Sequence, residues 1–147
     1  INKRTDAYNG YTLEGRTRIH MELIKGIRQV IGDKSLFALR LGGCDYTVGG
    51  TTIEDAAWAC RRFEEAGVDL LDISGGTCCY ARKGHNYPGY FGDISEAVKK
   101  EVHIPVLLTG GVRTVQDAEM LLKEEKADMI GVGRIITAKP DWGMELI

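Results

Sequence analysis

The sequence has almost no charge excess, no long apolar run and no cysteines at metal-binding spacing. Lys and Arg number 19 against 21 Asp and Glu, a formal net charge of −2. That balance gives no electrostatic argument for nucleic acid or for an anionic membrane surface. No apolar stretch reaches membrane-spanning length, and the opening "INKRTDAYNG" lacks the apolar core of a signal peptide. Cys44, Cys60, Cys78 and Cys79 form no CxxC and have no histidine at zinc-site spacing. The adjacent Cys78-Cys79 pair reads as two reduced thiols in a loop rather than as a metal or redox site, and the expected compartment is the cytoplasm. Low-complexity segments and linkers are also missing. What remains, 147 residues with 44% hydrophobic and 27% charged content, is enough for one folded domain with a core.

Four short apolar runs alternate with helical patterns. Glu14 to Ile31 repeats apolar residues at Ile19, Leu23, Ile27 and Val30 and stops at Gly32, which predicts a helix packed through that stripe. Leu36 to Gly42, "LFALRLG", is too short for a helix and is predicted to be a strand. Thr52 to Ala66 reads as a helix opened by Thr52-x-x-Asp55, close to a capping box, and closed by Gly67. Leu70 to Gly76 is the second strand. A loop rich in glycine, tyrosine and basic residues follows, then a helix from about Asp93 to Glu101. Ile104 to Gly111 is the third strand, Thr114-x-x-Asp117 opens a helix to about Lys126, and Asp128 to Arg134 is the fourth strand.

Strands that alternate with helices and lack amphipathic alternation read as parallel strands covered on both faces. The helix-to-strand connections are short. The loops after the strands are mostly longer, and in parallel α/β folds ligands sit beyond the carboxyl ends of the strands. The unusual residues therefore gather on one side.

Two consecutive strand ends carry glycine there. Gly110-Gly111 closes the third strand and Gly133-Arg134 the fourth. Glycine lets backbone N–H groups approach a ligand closely, and the helix after Gly110-Gly111 is expected to present its positive end. An arginine adds planar, bidentate donors for phosphate oxygens. A single glycine pair would favour an ordinary turn. Two neighbouring endings plus arginine favour one shared phosphate.

Arg40 stands out within an apolar strand. Alternation puts Phe37, Leu39 and Leu41 on one face and Leu36, Ala38 and Arg40 on the other. A cation in such a strand is costly unless paired or used. Two readings stand evenly: hydrogen bonding to an electron-rich heterocycle, with stabilisation of negative charge on it, or an ion pair with Asp72 on the next strand.

With these residues in place, the sequence resembles the Old Yellow Enzyme family, in its second half. The resemblance rests on "NKRTDAYNGYTLEGRTR", "ALRLGG", "AGVDLLDISGG", "IPVLLTGGV" and "ADMIGVGRIITAKPD", in family order over essentially the whole chain. At "YNGYTLEG" the sequence departs from the Gly-Gly-Ser and Glu-Asn more usual there. The family comprises FMN-dependent NAD(P)H:flavin oxidoreductases and enoate reductases, including 2,4-dienoyl-CoA reductases. The resemblance implies an α/β fold in which residues 1–147 are a partial FMN-binding domain. That domain would be the C-terminal half of a (β/α)8 TIM barrel, four parallel β/α units forming strands five to eight. It implies that Arg40 contacts the pyrimidine edge of the flavin, and that Gly110, Gly111, Gly133 and Arg134 hold the FMN phosphate. The implied chemistry passes a hydride from NAD(P)H to the flavin and then to an activated alkene, the small-molecule substrate.

The family's substrate-binding histidine pair and proton-donating tyrosine lie on or near the fourth barrel strand, so the resemblance implies no catalytic residue within this chain. Among the three histidines, His20 and His103 are expected to be surface or structural. His85 shares the ligand side with Tyr80, Tyr87 and Tyr90, in a mobile loop whose aromatics are expected to pack over the cofactor edge. Two readings follow. The chain is a fragment of an FMN reductase, or it is a non-catalytic phosphate- or flavin-binding half-barrel that self-associates or pairs with a complementary half. Open sheet edges and an apolar inner face predict that the chain alone is a homo-oligomer, and the absence of the carbonyl-binding and proton-donating groups predicts that it is inactive.

Overall fold

Thr12, Thr52 and Thr114 each start a helix, and the strands between those helices assemble in chain order. The computed structural model describes residues 2–77 and 81–146. Among them the sheet has four strands, β1 (Ala38–Gly42), β2 (Leu70–Ser74), β3 (Val106–Thr109) and β4 (Met129–Gly131), all parallel and ordered β1-β2-β3-β4. The helices are α1 (Leu13–Ile31), α2 (Ile53–Glu65), α3 (Gly92–Lys99), α4 (Val115–Lys123) and α5 (Arg134–Ala138). A short 3₁₀ turn at Trp142–Leu146 closes the described chain. No helix among the described residues is long and apolar enough to cross a membrane.

The caps follow the sequence closely. Thr52 and Thr114 each accept from the N–H three residues on, and Asp55 and Asp117 return the bond to the cap backbone. Such reciprocal caps satisfy two N–H groups that the helix itself leaves unpaired. β4 ends at Gly131, earlier than its apolar run suggested, so Gly133 and Arg134 begin α5 rather than finish a strand.

Only one face of the sheet is covered. Along β2 and β3, burial alternates residue by residue: Leu71, Ile73, Val106 and Leu108 are fully buried against the helices, and their neighbours are not. Phe63, Phe91, Ile94 and Val98 complete that core from the helix side. The expected covering on both faces is therefore corrected. The open face carries Ala38, Arg40 and Gly42 on β1, all exposed. It also carries a polar row: Arg40 Nη1 lies 3.5 Å from Asp72 Oδ2, and Thr109 Oγ1 donates to Asp72 Oδ1 at 2.9 Å. The inner surface is thus less apolar than its strand runs suggested.

A second correction concerns α1. The stripe Ile19, Leu23, Ile27 and Val30 is exposed, Val30 by 86%, and the helix instead buries Gly15 and Ile24. His20 and Met21 flank Ile24, so the packed face lies one residue, about 100°, around the helix from the apolar stripe. α2 is the neighbour α1 meets, and it stands on the Ile24 side: the ring of His20 packs, tilted by 35°, against Phe63 with centroids 5.5 Å apart. Arg28 pins the other end of α1, donating to the Gly67 carbonyl and pairing with Asp69 at 2.6 Å.

Candidate functional site

The carboxyl ends of β1 to β4 surround a cavity of about 190 Å³. Its lining includes all five residues that the sequence singled out: Arg40, Gly110, Gly111, Gly133 and Arg134. Residues from four strand ends and one connecting segment, up to 94 positions apart in sequence, therefore reach one concavity. The volume is smaller than the roughly 300–1,000 Å³ of pockets that enclose a whole small-molecule ligand. It suits one end of a ligand.

Gly110 and Gly111 are there for steric reasons. Their φ angles are 153° and 74°, a region that side-chain-bearing residues rarely adopt. A Cβ on Gly110 would lie 2.7 Å from the Phe91 ring, and one on Gly111 would lie 2.4 Å from the Tyr90 ring. The two aromatics form a floor beneath the glycines, with their own centroids 4.7 Å apart at 81°. Gly133 differs. A Cβ built on it meets nothing within 4 Å, so it faces open space, and its φ of −135° is ordinary.

The start of α4 does not serve the cavity as expected. Val112, Arg113 and Thr114 separate Gly111 from the helix, and Asp117 Oδ2 already accepts from the Arg113 and Thr114 N–H groups. The first residues of α4 are not among the cavity's lining residues, and the capping box uses the Thr114 and Asp117 N–H groups at that end. What the cavity offers an anion includes the glycine backbone and the two arginines.

Arg134, the first residue of α5, donates through Nη2 to the Tyr90 hydroxyl at 2.9 Å. Arg40 reaches the cavity from the open face, with its side chain 58% exposed, and it also makes the Asp72 ion pair weighed from the sequence. At 3.5 Å and with that exposure the pair contributes little, on the order of 0–1 kcal/mol. The pairing is compatible with a second use of the guanidinium.

The segment after β2 is anchored rather than loose where the structure describes it. Arg82 pairs with Asp93 at 2.8 Å, donates to the Tyr90 carbonyl at 3.2 Å, and lies 3.9 Å over the Tyr46 ring. The Tyr46 hydroxyl donates to Asp93 Oδ1, and burial with that carboxylate beside it pushes the phenol's pKa well up. Asp45 ties two neighbouring loops, accepting from the Thr51 and Thr77 N–H groups at 2.7 Å each. Tyr90 is 5% exposed and lies under the glycines, not over a ligand edge as expected, while Tyr87 is exposed. Cys78, Cys79 and Tyr80 lie outside the described residues; Cys44 and Cys60 are buried, and burial pushes the Cys60 thiol up to about 12.

No histidine among the described residues lines the cavity. His20 sits between α1 and α2, where burial lowers its pKa. His103 lies at the amino end of β3, its N–H donating to Glu64. His85 packs edge-on to Tyr87 and shares a 2.9 Å hydrogen bond with its hydroxyl. Sequence reasoning missed Ser74, Thr109 and Gly131 in the lining. A Cβ on Gly131 would meet Thr109 Oγ1 at 2.2 Å, so this glycine lets β4 approach the β3 side chain. A third glycine three residues before Arg134 was the available signal.

The glycines should therefore separate on substitution. Gly111→Ala combines a left-handed backbone with a ring clash and should cost roughly 1–3 kcal/mol or more. Gly133→Ala should leave stability within about 0.5 kcal/mol. Urea unfolding midpoints of the two variants, in the full-length protein, give the comparison. Equal loss at both positions would contradict the geometry.

Known proteins share this family pattern and fold. The profile of the NADH:flavin oxidoreductase / NADH oxidase family matches residues 1–146. An NADH oxidase from Thermoanaerobacter brockii is 32% identical over 145 residues, 96% of this chain and 22% of that protein. An NADPH dehydrogenase from Halalkalibacterium halodurans is 36% identical over 144 residues, 98% of this chain and 41% of that protein. Among solved structures, a 2-naphthoyl-CoA reductase in complex with 2-naphthoyl-CoA aligns with a TM-score of 0.86 and 28% identity, covering 99% of this chain and 23% of the other. Histamine dehydrogenase from Rhizobium sp. 4-9 shares the fold, with a TM-score of 0.81 at 23% identity. The chain spans less than half the length of each. Four parallel β/α units in this order are half of a (β/α)8 barrel. Matched by that profile over residues 1–146, the chain belongs to the NADH:flavin oxidoreductase / NADH oxidase family.

Proposed function

We propose that the chain forms the phosphate-holding end of an FMN site in an FMN-dependent NAD(P)H oxidoreductase acting on an activated alkene. The observation that carries this reading is the convergence of Arg40, Gly110, Gly111, Gly133 and Arg134 on one cavity of about 190 Å³. The residues fit a phosphate ester. The glycine pair leaves a cradle that a Cβ would fill, Gly133 faces open space, and Arg134 brings a bidentate cation to the rim. Relatives named NADH oxidase and NADPH dehydrogenase support a nicotinamide as the reductant.

The flavin, when bound, supplies the redox chemistry between nicotinamide and alkene. This chain's residues bind and orient. The backbone of Gly110, Gly111 and Gly133 would face the phosphate, and Arg134 would neutralise it. Arg40, on the open face of β1, would face the ring system, where a fixed cation favours the more negative state of its neighbour. None of these residues moves a proton, and the cytoplasm is proposed as the compartment.

The chain also presents surfaces that need covering. β1 and β4 are unpaired edges, and α1 exposes Ile19, Leu23, Ile27 and Val30. These favour a complementary half-barrel, or a second copy, as the structural partner. In either case the half-site described here would be completed from across the open face.

The phosphate assignment is tested with Arg134→Ala in the full-length protein, by titrating FMN and riboflavin. FMN affinity should fall about ten-fold or more, as expected for a charge-assisted bond, with riboflavin nearly unchanged. An equal loss for both would sink it. For Arg40→Leu the flavin's reduction potential should fall while the unfolding midpoint stays nearly constant, because the exposed Asp72 pair is worth little. The opposite pattern would make Arg40 a structural ion-pair residue. Expressed alone, the 147-residue chain should sediment as a dimer or larger species, and a compact monomer would contradict the covering argument.

A further inference from the structure

Tyr90 touches both halves of the candidate phosphate site. Its ring lies beneath Gly111, where an added Cβ would come within 2.4 Å, and beneath Gly110, where the corresponding distance is 3.2 Å. Its hydroxyl accepts from Arg134 Nη2 at 2.9 Å, across 44 positions of sequence. The ring is buried with Phe91 packed edge-on against it, and Arg82, itself paired with Asp93, donates to the Tyr90 backbone carbonyl. A rigid, buried ring is thus wedged between the glycine turn after β3 and the arginine after β4, with its one polar atom on the arginine.

We infer that Tyr90 is a positioning residue for the phosphate site, acting through Arg134: its hydroxyl aims the guanidinium at the anion held by Gly110 and Gly111. The inference rests on the phosphate reading above and adds a residue to it. Tyrosine suits the task. An arginine side chain has four rotatable bonds, and its conformational entropy must be surrendered when it grips an anion. A hydrogen bond to a fixed phenol removes part of that freedom before the ligand arrives, which strengthens binding without a new ligand contact. The acceptor is neutral, so it orients the guanidinium without cancelling its charge, as a carboxylate would. The ring sets the separation of the glycines and the arginine, and the hydroxyl sets the direction of the arginine.

The two jobs can be pulled apart in the full-length protein. Tyr90→Phe keeps the ring beneath the glycines and removes only the hydroxyl. FMN affinity should fall about three- to ten-fold, riboflavin affinity should not change, and the unfolding midpoint should stay near that of the parent. Tyr90→Leu removes the ring as well and should lower both the midpoint and FMN affinity. The deciding measurement is a double-mutant cycle: in the Arg134→Ala background, Tyr90→Phe should no longer alter FMN affinity. An undiminished effect in that background, an equal loss for riboflavin, unchanged FMN affinity in the single variant, or destabilisation by Tyr90→Phe as large as by Tyr90→Leu would each overturn the inference. Arg134→Ala alone keeps the two levels distinct. If it does not weaken FMN selectively over riboflavin the phosphate reading fails, whereas if it does and Tyr90→Phe does not, only the role of Tyr90 fails.

Discussion

The candidate site depends on close contact between two aromatic rings and two glycines. Phe91 and Tyr90 come up from the segment before α3 and fill the space beneath Gly110 and Gly111, leaving no room for a Cβ on either. That contact fixes the turn after β3 in a backbone conformation open to glycine alone, and it fixes Tyr90 where its hydroxyl meets Arg134. Replace either glycine and the rings must move. Once they move, the arginine loses the partner that holds it.

Much of this was legible in the sequence because it depends on residues near one another in the chain. Thr52-x-x-Asp55 and Thr114-x-x-Asp117 specify caps locally, and both form. The glycine endings and the placement of Arg40 on the uncovered face follow from strand periodicity. Other features depend on contacts that periodicity does not encode. The apolar stripe of α1 is real, but which side of a helix is packed is decided by its neighbours, and α2 stands on the Ile24 side. Asp117 marked a helix start in the sequence, yet only the structure shows that α4 begins outside the cavity lining, with that carboxylate bonded to the Arg113 and Thr114 N–H groups. The role of Tyr90 was the least legible, since its partners lie 21 and 44 positions away.

The sheet divides its labour between faces. The helix side is apolar and fully buried, with Leu71, Ile73, Val106 and Leu108 in one layer. The open side carries Arg40, Asp72 and Thr109 in contact across three neighbouring strands. Stability comes from the first layer, at roughly 1.5–3 kcal/mol for each large side chain buried. The second layer adds little energy of that kind, since its ion pair is exposed and long, and is free to serve recognition instead. This is why the convergence of polar groups at the strand ends argues for a ligand more than for structural need.

The polar row also has a consequence for how the strands find their alignment. Arg40 stands opposite Asp72 in the β1–β2 ladder, on the uncovered face. A slip of one residue would reverse the facing of every β1 side chain and drive the guanidinium into the apolar layer beside Leu71 and Ile73. Burying that cation without a partner would cost several kcal/mol, far more than the pair itself supplies. The pair is therefore worth more as a penalty on the misaligned sheet than as a bond in the aligned one. Arg40 and Asp72 act as a registration mark, which a strand of leucines and alanine would otherwise lack.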